Sequence, residues 1–119
     1  MFGRGGEEAD ECVRAGIAVE VIPGVSSAIA APAAALIPVT HRGLTQGFTV
    51  VSGHVPPTHP DCTVNYAALA QANTTIVLMM AVANLEAIAA ELMASGMSAS
   101  TPAAVIADGI LRGQREIRG

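Results

Sequence analysis

The sequence predicts an α/β fold: a mostly parallel or mixed sheet of about five strands with flanking helices. Two observations predict it. Short β-branched apolar runs alternate along the chain with longer stretches of helical character. Nearly every run is closed by a Gly, Pro, Asn or Asp turn. The length, 119 residues, suits one domain and leaves little room for two.

The elements follow in order. Gly5-Gly6 precedes Glu7, Glu8, Asp10 and Glu11, and acids in a first turn face the positive end of a helix dipole. Cys12, Val13 and Ala15 continue that helix, and Gly16 can close it in a left-handed cap. Ile17 to Ile22 alternates and is β-branched, which predicts a strand. Pro23-Gly24 turns the chain, and Ser26 or Ser27 can cap a helix through Ala28 to Ala31. Pro32, with no N–H to donate, should kink or restart that helix; Ala33 to Leu36 continues it and Pro38 stops it.

Phe48 to Ser52 reads as the second strand, followed by Gly53-His54 and a Pro- and His-containing loop over Val55 to Thr63. Val64 to Ala72 is helical, and Thr74 to Met80 is a third strand, apolar on both faces as a central strand would be. Asn84 should cap a helix carrying Leu85, Ile88, Ala89 and Leu92, an i, i+3, i+4, i+7 stripe that ends at Ser95-Gly96. Ala103 to Ala107 is a fourth strand, Asp108-Gly109 a turn, and Gln114 to Arg118 a fifth strand.

Composition excludes several function classes. Six Arg, no Lys and ten acids leave a net charge of −4, which opposes general nucleic-acid binding. Val21 to Thr40 and Cys62 to Leu85 carry no charge over lengths that could span a bilayer. Pro23, Pro32 and Pro38 break the first, and Asn65, Gln71 and Asn73 the second, exposing polar groups to lipid at several kcal/mol apiece. No membrane span is expected. Cys12 and Cys62 read as ordinary thiols of a reducing compartment, with a disulfide between them as the lesser reading. His41, His54 and His59 lack metal spacing, and no acid completes a Ser-His-Asp set, so no metal is assigned. Apolar residues reach 51% with 13% charged, and the mean hydropathy is +0.49. That is more apolar surface than a small globule covers alone, so part of it is expected to meet a partner.

Four places can carry chemistry. Gly3-Arg4-Gly5-Gly6 has the glycine content of a phosphate loop without the Walker or dinucleotide spacing. Pro23-Gly24-Val25-Ser26-Ser27 is a strand-to-helix turn, either a simple N-cap or a place for a polar ligand group. Thr40-His41-Arg42-Gly43 sets an imidazole beside a fixed cation that can fork onto a carboxylate, or is a solvated loop. Met79-Met80 either packs in the core or lines a ligand slot. In α/β sheets ligands bind beyond the carboxyl ends of the strands, here the loops Pro23–Ser27, Gly53–His54, Met80–Asn84 and Asp108–Gly109.

Taken together, Phe2-Gly3-Arg4-Gly5-Gly6-Glu7-Glu8, Val21-Ile22-Pro23-Gly24-Val25-Ser26-Ser27, Ile37-Pro38-Val39-Thr40-His41-Arg42-Gly43 and Val51-Ser52-Gly53-His54 resemble the tetrapyrrole methylases. Within them they are most similar to the branch that methylates uroporphyrinogen III. Thr75 to Met80 and Pro102 to Gly109 fit the same pattern, so the resemblance covers essentially the whole chain. Each motif is modest; the order and spacing are specific.

The resemblance implies methyl transfer from S-adenosylmethionine to two ring carbons of uroporphyrinogen III, giving precorrin-2 for siroheme or cobalamin, by a cytoplasmic homodimer. It implies that residues 1–119 are the C-terminal, cofactor-binding domain. An N-terminal domain bearing a glycine-rich loop and the acid/base residues would lie outside this chain. No catalytic residue is therefore assigned, and the chain alone is expected to be inactive. Carried over by position, Ser26 and Ser27 meet the cofactor, and Met80, Ala104 and Gly109 frame its adenosine, largely through backbone groups. The family often has Thr-Ala where Ser26-Ser27 stands, and Gly where Ala81 stands, which narrows the slot. Arg42 with His41, and more weakly Arg4, would meet the carboxylate-rich substrate. Two alternatives remain: a non-catalytic dimerising α/β module, and a sibling methylase acting on another tetrapyrrole.

Overall fold

The computed structural model describes residues 4–119. Phe2 and Gly3 of the first motif lie outside the described residues. Helix α1 spans Gly6–Arg14. Its start is fixed by Glu8, whose carboxylate accepts the Gly5 N–H at 2.9 Å, and Gly16, at φ +73, closes it as expected. Helix α2 spans Ser27–Ala34, with the Ser26 hydroxyl accepting the Ala28 N–H at 3.2 Å. It runs through Pro32 without restarting and stops at Ala34, earlier than expected. Leu36 already has φ +56, which no helix accommodates.

Strands β1 (Phe48–Ser52) and β2 (Thr75–Met79) pair in parallel, Phe48 opposite Thr75 and Ser52 opposite Met79. Helix α3 (Tyr66–Gln71) lies between them in the chain and is capped by Asn65, which accepts the Ala68 N–H at 2.9 Å. A 3₁₀ turn, Val82–Asn84, leads into α4 (Leu85–Ala94). Asn84 does not cap α4. Its amide donates instead to the Gly53 carbonyl at 2.8 Å, tying the end of β1 to the turn after β2. Strands β3 (Ala104–Ala107) and β4 (Arg115–Arg118) form an antiparallel hairpin.

Two expectations are corrected. The described residues contain four strands in two separate two-stranded sheets, one parallel and one antiparallel, where about five strands in one sheet were predicted. Ile17 to Ile22 forms no strand: among the described residues no backbone hydrogen bond joins residues 18–25, and all are exposed. A strand exists only with a neighbour to complete its backbone hydrogen bonds, and none lies alongside this stretch. For the same reason β2, apolar enough for a central position, is half-buried at all five residues.

The core is small. Tyr66 from α3, Ala81 after β2, and Ile88 and Leu92 from α4 form its buried centre, with Cys62, Leu69, Leu78 and Met97 packed around it. Ile88 is wholly buried, worth about 1.5–3 kcal/mol of transfer free energy. Gly53 belongs here for steric reasons, since a Cβ at this position would lie 2.5 Å from the Ala81 Cβ. The hairpin β3–β4 is joined to α2 at two points. Arg118 donates to the Ala35 carbonyl at 2.9 Å, and Gly109 lets the hairpin turn press against Ala31.

Candidate functional site at the carboxyl ends of the strands

The parallel pair gives the molecule a direction. At the carboxyl end of β1, Gly53 donates its N–H to the Met79 carbonyl at 2.8 Å, and Asn84 holds the Gly53 carbonyl. Beyond β2 stands Met80, at φ +56 and with its side chain more than half exposed. Beyond β3 come Asp108 at φ +53 and Ile110 at φ +65. A left-handed backbone costs an L-residue about 1–2 kcal/mol, most for a β-branched one. Such residues gather where a chain is held for function. Three of them here follow the carboxyl ends of β2 and β3, strands of two separate sheets, and it is beyond the carboxyl end of a parallel strand such as β2 that α/β proteins bind ligands.

Helix α2 links the expected contacts. Its cap is Ser26, its first residue Ser27, and Ala31 one turn on meets Gly109. The helix also packs against β2, the strand that leads into Met80. Ser26, Ser27, Met80 and Gly109 thus belong to elements in direct contact. The Ser26 hydroxyl is engaged as the helix cap, and the space beside Gly109 is filled by Ala31. Ala104 stands apart: it opens β3, while Gly109 follows the other end of that strand. Met80 and Ala104 both present their side chains to solvent.

His41 and Arg42 lie elsewhere. His41 and Thr45 exchange backbone hydrogen bonds at 2.9 and 3.0 Å around Gly43, at φ +82, and form a tight turn. Thr45 Oγ1 donates to the carbonyls of Gly47 and, at 3.2 Å, Asn73, the residues just before β1 and β2. The turn is pinned to the amino end of the parallel pair. A five-residue strand, about 13 Å long, separates it from Met80. The turn lines a depression of about 340 Å³ with Thr40, His41, Arg42 and Gln46. No acid lines that depression, and Arg42 has no ion-pair partner among the described residues. Arg4, by contrast, lies 3.6 Å from Glu8.

The Val51-Ser52-Gly53-His54 motif contains a pair to which no catalytic role was assigned. Ser52 Oγ and His54 Nδ1 are 2.8 Å apart at the carboxyl end of β1, which leaves Nε2 as the outward nitrogen of an exposed ring. Ser-Gly-His at a strand end is the signal for it in the sequence, where it supports the family resemblance and no acid completes a Ser-His-Asp set.

The model for Tetrapyrrole (Corrin/Porphyrin) Methylases matches residues 1–119. The chain belongs to the tetrapyrrole methylases. Among proteins of this family, it is 44% identical to the uroporphyrinogen-III C-methyltransferase of Synechocystis over 100% of the chain and 45% of that protein. It is 47% identical to the S-adenosyl-L-methionine-dependent uroporphyrinogen III methyltransferase of Methanosarcina barkeri over 97% of the chain and 45% of that protein. The crystal structure of uroporphyrin-III C-methyl transferase from Thermus thermophilus complexed with S-adenyl homocysteine superposes with a TM-score of 0.82. That match has 32% identity and covers 100% of this chain and 51% of the other. A cobalt precorrin-4 methyltransferase superposes with a TM-score of 0.81 at 27% identity, covering 94% of this chain and 46% of the other. This tetrapyrrole methylase chain spans about half the length of the relatives it matches.

Proposed function

We propose that this chain is the cofactor-binding half of an S-adenosylmethionine-dependent C-methyltransferase that converts uroporphyrinogen III to precorrin-2. The reading rests above all on the superposition of the whole chain on a methyl transferase that holds S-adenosylhomocysteine. The left-handed residues that follow β2 and β3 support it independently.

The residues present fit one wall of a nucleoside cleft. Met80 offers an exposed thioether at the edge, and Met side chains adapt to irregular flat surfaces. The left-handed turn at Met80 carries its backbone out of the β1–β2 ladder, whereas the Asp108 carbonyl accepts the Leu111 N–H at 3.0 Å and so holds the hairpin turn in shape. Ser27 adds a hydroxyl at the start of α2, whereas the Ser26 hydroxyl contributes indirectly by capping that helix. Gly109 acts by letting the hairpin turn close onto Ala31. S-adenosylmethionine, when bound, supplies an electrophilic methyl group on a sulfonium. The chain's own part is to hold that group in line with a pyrrole carbon, and positioning of this kind removes several kcal/mol of barrier. Arg42 and His41, at the far end of the parallel pair, meet an outlying carboxylate of the large substrate. In this reading the protein works in the cytoplasm as a homodimer. Among the described residues no helix is long and apolar enough to cross a membrane.

Calorimetry with S-adenosylhomocysteine tests the cofactor role. Half a cleft should bind with a dissociation constant on the order of 1 mM or tighter, with a matching rise in thermal stability. No heat and no shift at millimolar ligand would refute it. In an enzyme containing this chain, Arg42→Ala should raise KM for the tetrapyrrole about tenfold and leave KM for the cofactor unchanged. Equal effects on both would remove Arg42 from substrate binding.

A further inference from the structure

The turn after β2 contains a residue that its own side chain does not keep in place. Met80 stands at φ +56, a conformation that residues with a Cβ avoid. It is also 58% exposed, so packing offsets little of that cost. Gly53 braces it. The Gly53 N–H donates to the carbonyl of Met79, immediately before Met80, at 2.8 Å. The Gly53 carbonyl accepts the amide of Asn84, at the far end of the turn, at 2.8 Å. Between the two, Ala81 lies so close to Gly53 that a Cβ there would come within 2.5 Å of the Ala81 Cβ. One residue at the end of β1 thus grips the turn from Met80 to Asn84 at both ends and in the middle. Of these three contacts only the one with Asn84 requires a polar side chain, because the Gly53 carbonyl needs a donor. Asn84 precedes α4, where asparagine ordinarily caps the helix, yet α4 has no side-chain cap. The amide serves the turn and not the helix.

We propose that Asn84 is a positioning residue for the cofactor wall. By holding the Gly53 carbonyl it keeps Met80 left-handed, and so keeps the Met80 thioether and backbone set out beyond β2. The consequence for the cofactor rests on the methyltransferase reading; the conformational part does not. Asn84 acts on a population and touches no ligand itself. With its amide removed, Met80 relaxes toward the negative φ that L-residues prefer. The apparent dissociation constant then rises by the inverse of the fraction of chains that keep the turn. A turn kept by about one chain in ten weakens binding about tenfold. Met80→Gly changes that outcome, because glycine takes positive φ about as readily as negative. In that background the turn stays populated without the brace, and loss of the Asn84 amide should weaken binding no more than about twofold.

The test is a double-mutant cycle on this chain with Asn84→Ala and Met80→Gly. Titration with S-adenosylhomocysteine gives the affinities, and the HN–Hα coupling and Cα and Cβ shifts of Met80 in nuclear magnetic resonance report its φ. Asn84→Ala should move Met80 out of the left-handed region. It should weaken S-adenosylhomocysteine about tenfold in the otherwise unaltered chain, and no more than about twofold beside Met80→Gly. Asn84→Asp separates positioning from plain loss of stability. It removes the donor but sets an acid at the start of α4, where the helix dipole favours one. It should melt no earlier than Asn84→Ala and still weaken the ligand by a similar factor. Met80 left-handed as before in both Asn84 variants, or an equal loss of affinity in both backgrounds, would overturn the proposal. The two readings fail separately. Binding by the unaltered chain with Met80 unmoved in the variants refutes the brace alone, and no binding with Met80 displaced refutes the cofactor role alone.

Discussion

Tyr66 shows how much one side chain can cost a small core. It is buried at the centre of the cluster, and its hydroxyl has no hydrogen-bond partner. Burial pushes its pKa above the usual 10.0, and the nearby Cys62 adds to the effect when ionised. A folded pKa above the unfolded one means that the unfolded chain releases its proton first. Stability is therefore full below pH 10 and falls as the pH rises above it. Tyr66→Phe should leave thermal stability at pH 7 unchanged or raised by up to about 1 kcal/mol. It should also flatten the decline above pH 10, both readable by thermal melts across pH. Gly53 sits at the opposite extreme, with no spare room. In Gly53→Ala the new methyl would meet Ala81 at 2.5 Å and Ile88 at 2.9 Å, which should cost about 1–3 kcal/mol in denaturant unfolding. At the proposed cleft, Met80→Ala removes an exposed thioether and should weaken S-adenosylhomocysteine about fivefold with little change in stability.

The elements differ in how firmly they are held. Helix α4 is anchored by Ile88 and Leu92, whereas α1 holds itself up with caps and exposed ion pairs such as Arg14 with Glu11. Exposed pairs of this kind contribute about 0–1 kcal/mol, so α1 should show fast amide exchange in the isolated chain. Asn84 matters to two elements at once. Asn84→Ala frees the Gly53 carbonyl and loosens the carboxyl end of β1, a loss of about 1 kcal/mol in chemical denaturation. The hairpin β3–β4 depends on its contacts with α2. Arg118→Ala should speed exchange across residues 104–118 and leave β1–β2 unaffected, because the Ala35 carbonyl loses its donor.

At the scale of the whole molecule, the described residues form two small sheets and four helices around few buried side chains, and the apolar segment 17–22 is exposed. This arrangement accounts for the mean hydropathy: the surplus apolar residues are on the surface, at Ile17, Val21, Ile22, Val25 and Leu36 among others. Small-angle scattering of the isolated chain should give a radius of gyration clearly above the value of about 13.5 Å for a compact chain.

Local chemistry was enough to place most elements in the sequence. Ser26 and Asn65 cap their helices, Gly16 and Gly96 close theirs with positive φ, and β1 to β4 fall within a residue or two of the predicted runs. These depend on propensities and caps that act over a few residues. The order of the motifs likewise placed the chain among the tetrapyrrole methylases. Tertiary contacts decided the rest. Ile17–Ile22 has the composition of a strand and no neighbour to pair with, and strand identity is a property of pairs. Asn84 had the position of a cap, but the Gly53 carbonyl lay within reach of its amide. The spacing of His41, Arg42 and Met80 along the chain could not tell that the parallel pair holds them at opposite ends, because that depends on which end of β1 each loop joins.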